Sequence, residues 1–378
     1  MAVLAVVGVH TALAGGAASA SIGGRLLAHL NIGVTIFFLI SGFLLYRPFI
    51  AHRAGGARAP TTPDYAKRRF LRIYPAYWLI LTILVIVPGL TGVIDGHWWP
   101  MYALVHTLPV YDGRGCVDVP HQCGLAQTWS LVVEVTFYAI LPAYALLAAR
   151  LTRGLSVRAW MWAEILLLAG LSAVSVGLEF IVLNPLPRWL GSSVLGYVYW
   201  FALGMSMAVA SVALRGHQRP PRLIRWLGAH PEVLWLAAIA AYVLLCEWLP
   251  ASPFLFVRSQ QLVTHLAFGA IAALLLAPAV FADRSGGLPR RVLAHPVIAW
   301  LGLISYGIFL WHYVVVLKLA PAGAGASFAV VLLGTLAISV ACAAASYYLV
   351  ERPLLRLKYR RIRDVVDGRL GLVRDRER

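Results

Sequence analysis

The sequence predicts an all-α integral membrane protein of about ten transmembrane helices, with both termini in the cytoplasm. Hydrophobic residues make up 61% of the 378 residues, and charged residues make up only 12%. A soluble domain of this length has too little interior to hide so much apolar surface. Apolar runs of about 18–25 residues recur along the chain without the alternation of a membrane β-barrel, which leaves helices to satisfy the backbone in lipid.

Each apolar run is predicted to form one helix. Short polar and basic connections separate the runs, so the transmembrane domain is predicted to cover residues 1–350, with a basic tail at 351–378. The predicted helices are 1–14, 30–50, 73–94, 128–149, 160–183, 193–214, 230–249, 261–282, 296–317 and 328–350.

The distribution of basic residues predicts the orientation. Alternate connections, together with the tail, hold 26 of the 32 lysines and arginines, and the opposite set of connections holds five. Because lysine and arginine are enriched in cytoplasmic loops, the basic set is predicted to be cytoplasmic. The net charge of +17 would also suit a nucleic-acid partner, but clustering between apolar runs argues against one. The basic connections are 51–72, 150–159, 215–229, 283–295 and the tail 351–378.

The first predicted helix is short. Fourteen residues span about 21 Å, against about 30 Å of hydrocarbon, and Gly15 and Gly16 end the run. Either the helix is re-entrant or residues upstream of Met1 are missing, and we favour the second. Cys116 and Cys123 share a long loop on the predicted outer side, where a disulfide fits an oxidising compartment. A metal site that includes His121 is the weaker alternative.

Five motifs occur in a suitable order and spacing: LNIGVTIFFLISGFLLYRPF, YAKRRFLRIYPAYW, QTWSLVVEVTFYAILP, ISYGIFLWHY and YYLVERPLLR. Together they resemble the membrane-bound acyltransferase-3 family, which O-acylates cell-envelope carbohydrates and other hydroxyl acceptors. The resemblance implies acyl-CoA, most simply acetyl-CoA, as a co-substrate, with no bound cofactor and no metal. It also implies a glycan or glycolipid acceptor, contact with membrane lipids, and the plasma (inner) membrane of a bacterium.

The family also carries an arginine, ten further residues and then a histidine on its first helix. His10 matches that histidine, whereas the arginine would fall two residues before Met1, so this chain lacks it. Eleven helical steps put two side chains on one face, roughly 16 Å apart. The resemblance therefore implies an arginine on a CoA phosphate at the cytoplasmic edge and a histidine near the thioester.

His10 is the predicted general base. A neutral imidazole is suited to take the proton of an alcohol that attacks a thioester, although a histidine bonded between helices for packing is the alternative. Ser130, Glu134 and Tyr138 are spaced to form one polar stripe on their helix. A carboxylate inside the membrane needs a donor, so Glu134 is predicted to pair with His10 and fix its tautomer. A purely structural pair is the alternative.

Arg68, Arg69 and Arg72 are predicted to clamp the donor phosphates at the cytoplasmic mouth of the third predicted helix, unless they serve only as membrane anchors. Arg47 either faces the donor cavity or snorkels inward. The basic residues of 215–225 and of the tail are interpreted as anchors.

Three further polar or aromatic residues are predicted near the substrates. Ser41 precedes Gly42, a pair that favours close helix approach, although Ser41 could also carry an acyl group. Trp129 stacks on a sugar or belongs to an interfacial belt. His312 is predicted to line the cavity or to bond between helices.

The predicted function is a membrane O-acyltransferase. The rival hypothesis is a proton-coupled transporter or flippase of a lipid-linked sugar, in which His10 and Glu134 relay protons. Such transporters often have inverted repeats, and none is evident in the sequence. Binding of CoA through the arginines separates the two hypotheses.

Overall fold

A computed structural model of the chain describes residues 2–56, 61–87, 98–107, 125–182, 193–214, 221–252, 256–281, 287–321 and 325–356. These residues are almost all helical, which confirms the predicted all-α class. The predicted loop with Cys116 and Cys123, and the tail after residue 356, lie outside the described residues.

The described helices follow one another along the chain. Two of them continue into π-helical turns, at Leu178–Val182 and Tyr347–Glu351, and two are preceded by 3₁₀ turns, at Ala126–Thr128 and Val194–Tyr197. The α-helices are α1 (Ala2–Ala14), α2 (Ile22–Ala28), α3 (Ile32–Arg53), α4 (Thr62–Ile86), α5 (Trp98–Tyr102), α6 (Trp129–Leu151), α7 (Val157–Gly177), α8 (Val198–Ala213), α9 (Arg222–Ala229), α10 (Pro231–Trp248), α11 (Arg258–Phe281), α12 (Gly287–Ala294), α13 (Pro296–Leu303), α14 (Ser305–Leu319) and α15 (Phe328–Ser346).

The described residues include eight helices long and apolar enough to cross a membrane. The pair α13 and α14 forms a ninth candidate, bent by 70° at its junction, and α1 is a shorter apolar helix. All ten predicted segments therefore contain helix, and the chain is a multi-pass membrane protein. The side of the membrane on which each end lies stays a prediction.

The predicted ninth helix, 296–317, is wrong as a continuous element. The chain breaks at Ile304, and the hydroxyl of Ser305 donates a hydrogen bond of 2.8 Å to the carbonyl of Gly302. A side-chain hydroxyl that satisfies a backbone carbonyl offers the chain an alternative to the continuous helical ladder. The apolar run continues through the break, so hydrophobicity alone gave no sign of it.

The predicted start of the third helix, at residue 73, is also wrong. Helix α4 begins at Thr62, after Thr61 accepts a hydrogen bond of 3.3 Å from the backbone N–H of Asp64. The Thr61 hydroxyl also donates to the Asp64 carboxylate at 2.8 Å. A capping threonine, a proline in the first turn and an early acidic residue are strong start signals for a helix. As a result, Arg68, Arg69 and Arg72 lie on a helix rather than in a loop.

Helices α3 and α8 cross at very close range. A Cβ on Gly42 would lie 2.2 Å from the carbonyl oxygen of Phe201, and one on Gly204 would lie 1.9 Å from that of Leu39. These backbones can approach only because both positions lack a side chain. The role predicted for Gly42 in close helix approach is thereby confirmed.

We expect Gly204→Ala to lower the thermal unfolding midpoint of the detergent-solubilised protein, because the new methyl must push two backbones apart. Overpacking of this kind costs about 1–3 kcal/mol or more. The matched control is Gly170→Ala on α7, where a Cβ would meet no atom within 4 Å. Equal midpoints for the two variants would show that the close crossing is not required.

Candidate active site

A cavity of about 660 Å³ lies between α1, α3, α4, α6, α14 and the end of the last span. Its wall near α1 and α3 is apolar, with Val3, Val6 and Phe37 among its residues. Its charged lining residues are Arg68, Arg69, Arg72, Arg352, Arg356 and Glu134.

The cavity carries a strong excess of positive charge. Five of the six charged lining residues are arginines, contributed by the first half of α4 and by the end of the last span. Guanidinium groups bind phosphates well because their N–H donors form a planar fork. The cavity therefore presents several anion-binding groups next to an apolar wall.

Glu134 lies on the cavity wall and is almost fully buried. The hydroxyl of Ser41 donates to its Oε1 at 2.9 Å, and the hydroxyl of Tyr138 donates to the same oxygen. Arg69 and Arg72 lie close enough for their charges to act on this carboxylate. The buried carboxylate is thus satisfied by two hydroxyls and by nearby cations, as a charged group in a low dielectric requires.

The predicted hydrogen bond between Glu134 and His10 is wrong. His10 bonds to another histidine, and both donors to Glu134 are hydroxyls. The two residues belong to α6 and α1, and α1 packs on α3, α14 and α15. Residue type suggested that Glu134 and His10 pair, but the packing of the helices places a different partner beside each of them.

The predicted polar stripe of α6 is confirmed as a geometric feature. Ser130, Glu134 and Tyr138 all line the cavity, as the spacing of four residues requires. Ser130 donates to the carbonyl of Gln127 at 3.1 Å, so its hydroxyl is used to hold the turn that precedes α6.

His10 and His312 form a hydrogen-bonded pair. Nδ1 of His10 lies 2.9 Å from Nε2 of His312, and Nδ1 of His312 lies 2.7 Å from the carbonyl oxygen of Phe309. The prediction that His312 bonds between helices is confirmed, because it joins α14 to α1.

This chain of contacts assigns the tautomer of each ring. A carbonyl oxygen can only accept, so His312 carries its proton on Nδ1. In the neutral ring Nε2 of His312 is then an acceptor, and Nδ1 of His10 must donate to it. The lone pair of a neutral His10 consequently lies on its Nε2, the nitrogen that is left to take up a proton.

His10 lies just past the apolar end of the cavity. Val3 and Val6 line the cavity, and His10 follows on the same face of α1, one turn beyond Val6. Its ring is half-buried and meets the ring of Tyr313 edge-on at 5.0 Å. The imidazole therefore lies beyond the residues of α1 that line the cavity.

The turn before α6 fixes α6 against α14. The amide of Gln127 donates to the carbonyl of Leu310 at 3.1 Å. The hydroxyl of Thr128 donates to the carbonyl of Leu125 at 2.7 Å and lies 3.3 Å from Nε2 of His106, which is therefore the donor in that contact. Burial lowers the pKa of His106 to about 4, so this ring is neutral at physiological pH. These contacts set Glu134 and His312 relative to each other.

Four of the predicted site residues that the structure describes lie outside the lining of this cavity: His10 and His312, which pair beside it, and Trp129 and Arg47. Trp129 packs instead against Phe38 and Tyr197, with ring centroids 6.4 and 5.4 Å away. The position is half-buried, so its predicted role in the substrate cavity is not supported by its placement. Arg47 is half-buried on α3 and is likewise absent from the cavity wall.

Sequence reasoning missed a second buried carboxylate. Glu164 on α7 accepts hydrogen bonds from the hydroxyl of Tyr46 at 2.7 Å and from Nη1 of Arg53 at 2.5 Å. Arg53 also donates to the hydroxyl of Thr152 and stacks over the ring of Trp160. This network joins α3, α6 and α7, and a single acidic residue within an apolar helix was the available signal. Among the described residues no group of three potential metal ligands is found.

The fold and the cavity define a multi-pass membrane protein with a cavity whose charged lining residues are mostly arginines. The domain model described as "Acyltransferase domain" matches residues 1–349, and the chain therefore belongs to the acyltransferase-3 family.

Several bacterial relatives are similar to this chain. Nodulation protein 10 of Rhizobium leguminosarum bv. viciae is 25% identical over 86% of this chain and 82% of the relative. Exopolysaccharide production protein ExoZ of Rhizobium meliloti is 27% identical over 86% and 89%. Peptidoglycan O-acetyltransferase OatA of Listeria monocytogenes is 24% identical over 77% of this chain and 45% of the relative.

The chain spans only about half the length of some of these relatives, which include OatA and, at 50%, YrhL of Bacillus subtilis. No solved structure is significantly similar to this chain.

Proposed function

We propose that this protein is an acyl-CoA-dependent O-acyltransferase of the bacterial plasma membrane. It transfers an acyl group, most simply acetyl, to a hydroxyl of an envelope glycan or glycolipid. The proposal rests on one arrangement: a cavity lined by arginines and by an apolar wall, and beyond that wall on α1 a histidine whose Nδ1 is held by His312. The names of OatA and ExoZ support this class of acceptor.

The donor binds with its phosphates among the arginines of α4. Arg68 and Arg72 are one helical turn apart and both line the cavity, so together they can grip one diphosphate. Arg69 lies deeper, near the ring of Tyr138, at 5.7 Å from its centroid. The pantetheine arm then follows the apolar wall and brings the thioester toward His10.

The transfer is a direct displacement through a tetrahedral intermediate. Nε2 of His10 takes the proton of the acceptor hydroxyl while the oxygen attacks the thioester carbonyl carbon and forms a C–O bond. Collapse of the intermediate breaks the C–S bond, and the imidazolium returns its proton to the leaving CoA thiolate. His312 remains neutral and stabilises the imidazolium by accepting from its Nδ1.

Glu134 has a different role from the one that the sequence suggested. Its carboxylate holds the hydroxyls of Ser41 and Tyr138 on the cavity wall and balances the charge of Arg69. In this account it shapes the path of the donor arm and does not touch the base.

Donor binding is tested with purified protein in lipid nanodiscs, acetyl-CoA labelled in the acetyl group, and an envelope glycan fraction. We expect Arg68→Gln with Arg72→Gln to raise the KM for acetyl-CoA about 10- to 100-fold, the loss expected for one or two charge-assisted hydrogen bonds. The value of kcat should change little, because these residues do not touch the reacting atoms.

Lys67→Gln is the matched control, because this cation is the immediate neighbour of Arg68 but does not line the cavity. It should leave the KM unchanged. A wild-type protein that releases no CoA with any envelope fraction would contradict the proposed function. Normal donor KM in the arginine variant would contradict the donor site.

The acceptor is identified by mass spectrometry of envelope lipids and glycans from cells with and without the gene. We propose that one species loses the mass of a single acyl group when the gene is absent. Identical spectra under conditions of expression would argue against an envelope acceptor.

A further inference from the structure

We propose that Arg352 and Arg356 form a second anion site in the cavity, which binds the 3′-phosphate of CoA. The donor is then a thioester of free CoA rather than of the phosphopantetheine of an acyl carrier protein, which has no 3′-phosphate. This inference rests on the proposed function and extends it, because neither arginine was needed to derive that function.

Both arginines belong to the last helical span, which runs to Arg356. They are four residues apart, so their side chains lie on one face, one turn from each other. The π-helical turn at Tyr347–Glu351 adds a residue to the turn and thereby keeps Tyr347 and Arg352 on the same side. Tyr347, Arg352, Leu355 and Arg356 all line the cavity.

The sequence favoured a simple anchoring role for these residues. An anchoring arginine needs only to reach the membrane surface, whereas these two form part of a cavity wall together with three arginines of α4. Arg352 also lies over the ring of Tyr348, 5.7 Å from its centroid, which restricts where its guanidinium can point. The pair is therefore placed for a ligand as well as for the membrane.

The arginines of the cavity differ in exposure. Arg68 and Arg69 are half-buried and Arg69 reaches Tyr138, whereas Arg72, Arg352 and Arg356 are exposed. Acyl-CoA has the same order of groups, since the acyl-pantetheine arm is followed by the diphosphate and then by the ribose 3′-phosphate. With the arm pointing inward, the α4 group, which holds the two half-buried arginines, meets the diphosphate. The exposed outer pair, Arg352 and Arg356, meets the 3′-phosphate.

The acidic residues near the cavity do not neutralise this pair. Glu134, the acidic residue of the lining, is held by Ser41 and Tyr138. Glu351 is buried next to Arg352 in sequence, but its Oε1 accepts from the hydroxyl of Ser346 at 3.5 Å and it is not part of the lining. The positive charge of the outer pair therefore faces the cavity and is available to a phosphate.

The test measures the KM of each of two donors with each of two proteins. Acetyl-CoA and acetyl-3′-dephospho-CoA are assayed with the wild type and with the double variant Arg352→Gln, Arg356→Gln in nanodiscs. The wild type should prefer acetyl-CoA by about tenfold or more in KM, the loss of a charge-assisted phosphate contact. In the double variant, the KM for acetyl-CoA should rise to the value that the wild type shows for acetyl-3′-dephospho-CoA. The KM for acetyl-3′-dephospho-CoA should be the same in both proteins.

Arg225→Gln, an exposed change on α9 away from the cavity, is the control and should retain the wild-type preference. Equal KM values for the two donors with the wild type, or an equal rise for both in the variant, would overturn the second site while leaving the acyltransferase intact. Acetylated acyl carrier protein used as efficiently as acetyl-CoA would also overturn it. A wild type that uses no acetyl-CoA would overturn both this inference and the proposed function.

Discussion

His10→Ala is expected to lower kcat for acyl transfer by about 10²- to 10⁴-fold, the usual contribution of a general base. The acceptor hydroxyl would lose the nitrogen that takes its proton in the proposed mechanism, Nε2 of His10, and the remaining ring of His312 does not line the cavity. The KM for acetyl-CoA should stay within about twofold, because the phosphate contacts lie at the other end of the cavity. The measurement is single-turnover transfer of labelled acetyl to an acceptor.

The control for His10→Ala is His230→Ala, an exposed histidine between α9 and α10, which should retain full activity. His10→Gln separates a role in proton transfer from a role in packing. Glutamine keeps a hydrogen-bonding group but cannot act as a base near neutral pH. Full acetyl transfer by either His10 variant would rule out this residue as the base.

His312→Leu is expected to give the second largest effect, a fall in kcat of about 10²-fold or more. Without His312, the proton of the neutral His10 ring is no longer fixed on Nδ1. Leucine offers no acceptor, so Nδ1–H of His10 loses its side-chain partner and His312 no longer fixes the lone pair on Nε2. The donor KM should change little, since His312 does not line the cavity.

Rescue by a conservative change distinguishes this positioning role from simple packing. In His312→Gln the side-chain oxygen can still accept from His10, so this variant should recover a large part of the lost kcat. The two variants should also differ in the dependence of kcat on pH, because only glutamine preserves the environment of the base. Equal losses in both variants would show that His312 matters for packing alone.

Hydrophobicity predicted most of the fold because it is a local property. Segments such as 30–50 and 128–149 are long and apolar, and α3 and α6 appear there with boundaries within a few residues. The errors fall where local signals compete with hydrophobicity. Thr61 and Asp64 begin α4 before the apolar run does, and the break at Ile304 lies within an uninterrupted apolar run.

The candidate site was predicted only in part, because contacts between distant residues depend on the arrangement of the helices. The α6 stripe follows from helical spacing alone and is present. The partner of His10 lies 302 residues away in the chain, and no spacing rule connects them. Charge favoured Glu134 as that partner, yet hydroxyls from its own helix and from α3 satisfy Glu134.

The protonation of His10 is the point on which the proposed chemistry most depends, and nitrogen NMR measures it directly. Wild-type protein labelled with ¹⁵N-histidine in lipid bilayers is compared with His10→Gln to assign the two ring nitrogens. We expect a neutral ring with a protonated Nδ1 and an unprotonated Nε2, and His312→Leu should abolish that single pattern. A His10 that is protonated on Nε2, or on both nitrogens, at the pH of catalysis would contradict this expectation.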